Sequence, residues 1–208
     1  GPIRAVIDSS TAAVTRSTNL TVAEAAGADA ALLEIKAGSL TIGASGDPKN
    51  LTLGSGAAAG RLLQSGGTVT VHGAVVDGGA SAVNLLGGAM NVGGNLQIDN
   101  LVVGQGTGNA TLNLNSQSGS HSVGNAVLLA DGAGSRGTLA MLGGTLSLAG
   151  VTSGGGAGAL YIDGSSFDSE AHTPSFGGSP AVASIHGDLR VSELRVGYVR
   201  NDASNNPG

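Results

Sequence analysis

Four aspartates are the carboxylates best placed for hydrolytic chemistry: Asp77, Asp99, Asp131 and Asp163. Glycoside hydrolases use a pair of carboxyl groups that flank the scissile bond, one as acid and one as base or nucleophile. Asp77, Asp131 and Asp163 each precede a glycine, where aspartate is a favoured turn residue. No Asp-x-Asp pair occurs in residues 19–150. The pattern favours turns over catalysis, and we predict no catalytic residue.

Aromatic and basic residues in the last third of the chain are the candidates for ligand binding. Arginine beside tyrosine could hold a sugar acid, and residues 161–176 could form one wall of a groove. The competing interpretation is a solvated strand face, since Leu189-Arg190-Val191 alternates apolar and polar residues. The candidate residues are Tyr161, Phe167, Phe176, Arg190, Arg195 and Tyr198.

The chain offers little for metal or cofactor chemistry. It has no cysteine, and its four histidines are far apart without a metal-ligand spacing. Stacked coils could align only His72 with His121, because both lie beside the same kind of strand. We therefore predict no metal site, no cofactor and no thiol nucleophile.

Composition favours a thin, layered core. Glycine supplies 38 of 208 residues, and hydrophobic residues reach 40 % although aromatic residues supply only 2 %. Small aliphatic side chains suit stacked layers better than a large globular core, which normally uses aromatic residues. The net charge of −5 argues against nucleic acid and anionic membranes as partners. No apolar run reaches the roughly 20 residues that span a bilayer.

A repeated sequence pattern of strands and turns predicts the elements that must position these residues. Residues 19–43, 50–73, 100–124 and 125–150 each contain three short aliphatic strands separated by Gly-rich turns. The third strand of each repeat serves as a marker. We predict that the marker strands begin at Ser39, Thr68, Ala89, Ser120 and Thr145, with about 25 residues per coil.

The marker strands alternate apolar and polar residues. Val69 and Val71 alternate with Thr68 and Thr70, which is the period of a half-buried β-strand. Glycine pairs such as 66–67, 87–88 and 143–144 precede marker strands and predict corners with positive φ. Residues 22–36 are the best helical candidate, against a strand interpretation of the same segment.

These patterns predict an all-β fold, a single-stranded parallel β-helix (β-solenoid), with the right-handed form chosen because it is the commoner one. We expect residues 1–18 to be a tag scar and lead-in strand, and residues 19–150 to be solenoid repeats. Residues 151–188 are expected to form a degenerate coil with a loop inserted at 165–181. Residues 189–208 then begin a further, truncated coil, so we expect the parent protein to continue or another chain to complete it.

The repeats resemble the Gly-rich repeats of bacterial autotransporter passengers and related giant surface proteins, the autotransporter-associated β-strand repeat class. The residues that carry this resemblance lie in 51–71 and 139–148, above all Gly66-Gly67-Thr68-Val69-Thr70-Val71 and Gly143-Gly144-Thr145-Leu146-Ser147-Leu148. The resemblance implies a parallel β-helix that is secreted or displayed on a bacterial surface. It implies no catalytic residues.

We expect a structural or adhesive segment that acts as a stalk or contact surface. Its partners would be cell-surface glycans or proteins of a host or neighbouring cell, with end-to-end self-association through open ends as a further possibility. The alternative is an extracellular carbohydrate-binding or polysaccharide-degrading β-helix, a lyase or glycoside hydrolase that uses the 161–176 insertion. Convergence of the aromatic candidates on one face would favour that alternative.

Overall fold

The chain is all-β and its strands pair almost entirely in parallel, as seen in a computed structural model. The structure describes residues 3–23, 31–131, 135–142, 144–148, 151–153, 157–163, 165–169, 175–176, 182–186, 189–191 and 195–196. From Val151 onward, strand positions and register are described. The described residues contain no helix, and thus none that could cross a membrane. Ala31–Ile35 is a strand, so the helical alternative is wrong for that part of residues 22–36.

The strands fall into three parallel ladders, which we call the first, second and third ladder. The first ladder contains Leu20–Val22, Leu51–Leu53, Val75–Asp77, the starts of Leu96–Gln105 and Ser120–Asp131, Gly144–Leu148, Ser165–Ser169 and Leu189–Val191. The second contains Arg4–Ile7, Ala31–Ile35, Gly60–Gln64, Ser81–Leu85, the ends of Leu96–Gln105 and Ser120–Asp131, Val151–Ser153, Ser175–Phe176 and Arg195–Val196. The third contains Ala13–Arg16, Ser39–Ala44, Thr68–Val71, Gly88–Val92, Asn109–Leu114, Arg136–Met141, Ala157–Asp163 and Val182–His186.

The chain visits the three ladders in a fixed order. After each strand of the second ladder it enters the third, then the first, and then the second again. Register partners along the third ladder are Ser39, Thr68, Ala89, Thr111, Thr138, Ala159 and Val182, which are 29, 21, 22, 27, 21 and 23 residues apart. One short strand, Asp47–Pro48, pairs antiparallel with Ser39–Ala44.

Two of the predicted marker strands belong to a different ladder from the other three. Ser120 and Thr145 pair with each other in the first ladder, whereas Ser39, Thr68 and Ala89 lie in the third. The prediction that all five mark one ladder is therefore wrong. The cause is that Gly-Gly-Thr-Leu-Ser-Leu resembles Gly-Gly-Thr-Val-Thr-Val although the two segments lie in different sheets.

Strand alternation builds one continuous core. In Thr68–Val71 and Ser81–Leu85 every second residue is buried, which confirms the period of two predicted from sequence. Buried aliphatic side chains from all three ladders form a single cluster. Gly67 and Gly88 have φ of 68° and 84°, as predicted for residues at corners.

The segment assigned to an inserted loop contains strands. Ser165–Ser169 pairs with Gly144–Leu148 and with Leu189–Val191, and Ser175–Phe176 pairs with Arg195–Val196. The rest of residues 164–181 lies outside the described residues. The two strands continue the first and second ladders, so the ladders extend beyond the repeats that the sequence marks clearly.

Candidate contact surface

The outward positions of the third ladder form a regular surface of hydroxyl and amide groups. They are half-buried and alternate with buried residues such as Leu40, Val69 and Leu112. We call this surface the hydroxyl–amide face. Its members are Ser39, Thr41, Thr68, Thr70, Ala89, Asn91, Thr111, Asn113, Thr138 and Ala140. Two of the ten, Ala89 and Ala140, are alanines, and each strand of the face still presents at least one hydroxyl or amide side chain.

The hydroxyl–amide face carries almost no charge. From Ser39 to Met141 the strands of the third ladder contain one charged residue, Arg136, at the start of its strand. Asn113 Nδ2 donates to Asn91 Oδ1 at 2.9 Å, which orders the two amides along the ladder. Parallel strands lie about 4.8 Å apart, so polar groups repeat at that interval along the face. The arrangement suits hydrogen bonding to a neutral, extended partner.

The outward positions of the other two ladders differ in chemistry. Those of the second ladder include half-buried aliphatic residues, Leu63, Val102 and Leu128 among them. Those of the first ladder are mostly polar and include Thr52, Gln97 and Ser122. The three ladders thus present three distinct surfaces.

Two of the candidate carboxylates hold backbone amides. Asp77 Oδ1 accepts from the Gly79 amide at 2.7 Å, which is the turn role predicted from sequence. Asp99 Oδ2 accepts from the Ser81 amide, and the Asp99 amide donates to Ser81 Oγ, both at 3.0 Å. These reciprocal bonds tie adjacent strands together and occupy the carboxylate in structure.

The other two candidate aspartates end strands. Asp131 is the Cα partner of Gln105 in the second ladder, and Asp163 is the partner of His186 in the third. The four aspartates are therefore spread over several strands and corners. Among the described residues, no group of three or more histidines or carboxylates could hold a metal ion.

The ligand-binding candidates are distributed over all three ladders. Tyr161 is in the third ladder, where its Cα partner is Ala140. Phe167 and Arg190 are in the first ladder, as partners of Leu146 and Asp168 respectively. Phe176 and Arg195 are in the second ladder, and Tyr198 lies outside the described residues.

This placement does not bring the candidates to one ladder. Phe167 shares a register row with Leu146, whose side chain is 1 % exposed. Tyr161 shares a row with Ala140 and, through it, with Asn113 of the hydroxyl–amide face. A single aromatic binding face would need these residues on one ladder. The carbohydrate site at residues 161–176 stays a prediction.

His121 is the described histidine with the most unusual environment. It is 1 % exposed, and its Nδ1 accepts a hydrogen bond from the Leu96 amide at 3.1 Å. Burial lowers its pKa to about 4. It lies in the first ladder, whereas His72 follows a strand of the third, so the two do not stack. His172 lies outside the described residues, and His186 ends a third-ladder strand.

Ser116 lies near His121, but the pair cannot act as a nucleophile and base. A Cβ on Gly119 would lie 2.8 Å from Ser116 Oγ and 2.9 Å from His121 Nε2, which places both groups around one turn. Because Nδ1 accepts the Leu96 amide proton, the neutral ring carries its own proton on Nε2. Nε2 cannot then accept the serine proton, and the lowered pKa makes the ring a weak base.

Sequence reasoning missed a row of asparagines at the entry to the first ladder. Asn19 Oδ1 accepts from the Asn50 amide at 2.9 Å, and Asn50 Oδ1 accepts from the Ala74 amide at 2.8 Å. Asn95 Oδ1 accepts from the Ser120 amide at 3.0 Å. The signal was present, because each of the three asparagines directly precedes a leucine that begins a strand.

The chain matches no protein-family model, no curated protein and no solved structure.

Proposed function

We propose that this chain is a β-solenoid segment of a secreted or surface-displayed bacterial protein, acting as a rigid spacer and contact surface without catalysis. The observation that carries the proposal is the fixed order in which the chain visits three parallel ladders. The chain returns to the third ladder after 21 to 29 residues, one strand further along each time, and this regularity supports a solenoid path. The resemblance to autotransporter passenger repeats supports the surface location.

Rigidity follows from how each strand is held. Strands inside a ladder pair on both edges, and a single aliphatic cluster runs through the stack. The asparagine row and the Asp99–Ser81 pair add bonds between successive turns of the chain. Such a body keeps whatever it carries at a fixed position.

The hydroxyl–amide face is the surface we assign to contact. Uncharged donors and acceptors at a regular interval match neutral glycan chains or an extended protein segment. The ion pairs of the described residues lie away from this face, as with Lys49 and Asp47 at a turn and Arg4 with Glu34 on the second ladder. Binding through this face should therefore depend weakly on salt.

Distances between spin labels test the solenoid path. The distance between a label on Thr15 and a label on a register partner further along the third ladder should be proportional to the number of strands that separate them. The absence of cysteine makes labelling specific. We expect about 19 Å to Asn113, about 24 Å to Ala140 and about 34 Å to Ser184, at about 4.8 Å per strand. Distances that do not rise by about 4.8 Å for each strand between the labels would refute the path.

Binding screens test the contact surface. The fragment would be screened on a glycan array and against a panel of extracellular matrix proteins, together with the Thr70→Lys/Asn91→Lys variant. The control variant is Thr52→Lys, which adds a charge at an outward position of the first ladder. Binding lost only in the double variant supports the hydroxyl–amide face. Equal binding by all three proteins, or cleavage of a polysaccharide on the array, would contradict the proposal.

A further inference from the structure

The hydrogen bonds at the entry to the first ladder follow one rule and break it once. The amide that begins a strand donates to a backbone carbonyl one strand further on: Leu20 to Asn50 at 2.9 Å, Leu51 to Ala74 at 2.9 Å, and Val75 to Asn95 at 2.8 Å. At the next position the Leu96 amide donates to the His121 ring instead. A titratable side chain therefore replaces a backbone acceptor in the ladder.

The surroundings of the ring leave no place for a charge. His121 is 1 % exposed and lies in register between Leu96 and Leu146, which are 0 % and 1 % exposed. Its Nε2 is buried without a hydrogen-bond partner. Gly119 and Ser116 close the turn around Nε2.

We propose that His121 and the Leu96 amide form an acid-sensitive latch between the strands Leu96–Gln105 and Ser120–Asp131. Protonated imidazole carries a proton on both nitrogens and accepts no hydrogen bond. Protonation would therefore leave two donors, the Leu96 amide and Nδ1–H, facing each other, and would bury a charge in an apolar row. Both effects favour separation of the two strands at their first-ladder ends.

The geometry also limits how far the latch would open. The register between the two strands is interrupted between Ile98 and Asn100, and Gly124 and Asn125 opposite this interruption are exposed. The segment from Leu96 to Ile98 can thus separate while the second-ladder part of the same strands stays paired. The two strands would separate only locally, at their first-ladder ends, and the rest of the stack would remain intact.

Few charged groups lie on the elements packed against the latch. Asp99 directly follows the segment Leu96 to Ile98, and its Oδ2 accepts from the Ser81 amide. Arg136, on the neighbouring strand Arg136–Met141, is exposed. Gly144–Leu148 and Val151–Ser153 contain no titratable residue. Asp77 ends the strand Val75–Asp77, which pairs with Leu96–Gln97; it is exposed and accepts from the Gly79 amide. The other titratable residues on the adjacent strands are Asp131, Tyr161 and Asp163.

The direction of the pH effect follows from the buried ring. Burial lowers the pKa of His121 from 6.5 to about 4, so the closed latch binds fewer protons than the open one. Opening is then favoured as pH falls through 6.5, and the effect is complete below about 4. Between pH 7.5 and pH 5.0 the opening equilibrium constant should rise by about 30-fold.

Hydrogen exchange followed by mass spectrometry tests the latch in the full chain. After correction for intrinsic rates, peptides that cover 96–98 and 120–123 should exchange about 30-fold faster at pH 5.0 than at pH 7.5. His121→Leu should abolish this acceleration, because leucine fits the row of Leu96 and Leu146 and does not titrate. His72→Gln, the matched control at a half-buried histidine of the third ladder, should keep it.

A second measurement on the wild-type chain does not depend on any variant folding. Histidine NMR should show the proton of neutral His121 on Nε2 and a titration of His121 well below 6.5. Acid-accelerated exchange that persists in His121→Leu would overturn the proposal. A proton on Nδ1, or titration of His121 near 6.5, would overturn it as well.

Discussion

Gly60→Ala should destabilise the chain because the corner at Gly60 has no room for a methyl group. Gly60 begins a second-ladder strand, and a Cβ there would overlap the Gly54 amide nitrogen and the Val22 carbonyl oxygen. Those two atoms are joined by a ladder hydrogen bond of 2.9 Å. The methyl group would therefore enter the bond that links two strands of the first ladder.

The size of the effect can be estimated from the groups that must move. Displacing backbone by overpacking costs about 1–3 kcal/mol. Weakening the bond between Gly54 and Val22 adds about 1 kcal/mol, for a total of about 2–4 kcal/mol. The register neighbours of Gly60 are Ala31 and Ser81, which carry side chains. The requirement for glycine at position 60 therefore comes from the adjacent turn and not from the ladder itself.

Urea unfolding monitored by far-ultraviolet circular dichroism measures this effect. With a urea dependence of about 2–3 kcal/mol per molar, the midpoint of Gly60→Ala should fall by about 1 M. The control is Gly46→Ala, at an exposed turn where a Cβ would meet no atom within 4 Å. That variant should unfold at or slightly above the wild-type midpoint. Equal midpoints for Gly60→Ala and wild type would refute the close approach.

Three further predictions concern buried or half-buried polar groups. Asn50→Ala should cost about 1–2 kcal/mol in the same titration, because the Ala74 amide loses its acceptor, whereas exposed Asn109→Ala should cost less than about 0.5. Ala74→Asn should raise the free energy of unfolding by about 0.5–1 kcal/mol, because the new side chain would give the Asn95 amide the acceptor found elsewhere in the row of asparagines. An unchanged free energy of unfolding would mean that the row does not extend through this position. Lowering the pH from 7.5 to 4 should remove up to about 3 kcal/mol of unfolding free energy through His121, a loss absent in His121→Leu, and an identical pH dependence of both proteins would contradict it.

Much of the local structure could be predicted from the sequence because it depends on neighbouring residues. Alternation in Thr68–Val71 gives the buried positions of Val69 and Val71, and the glycines before such strands adopt positive φ where the chain turns. The parallel, all-β architecture follows from the repetition of these short strands. Each of these features depends on the types of a few consecutive residues.

The features near His121 could not be predicted, because they depend on which strands become neighbours. The sequence places His121 before Ser-Val-Gly, as an ordinary member of a short strand. Only the stacking of this strand beside Leu96 brings the ring to a backbone amide. The dispersal of Tyr161, Phe167 and Phe176 over three ladders is likewise a property of register.

The error in the marker strands shows why register is the hard part of this fold. Two nearly identical motifs occur in different ladders: Gly66-Gly67-Thr68-Val69 and Gly143-Gly144-Thr145-Leu146. Thr68 lies in the third ladder and Thr145 in the first. Every corner needs small residues and every strand needs alternating aliphatic ones, so the same motif satisfies either ladder. Several strands of the two ladders differ in the residue that precedes them. Asparagine side chains bond along the entry to the first ladder at Asn19, Asn50 and Asn95, whereas a glycine precedes the third-ladder strands that begin at Ser39 and Thr68. Ser120 and Thr145 occupy the asparagine position without being asparagine, and the predicted register fails at these two strands.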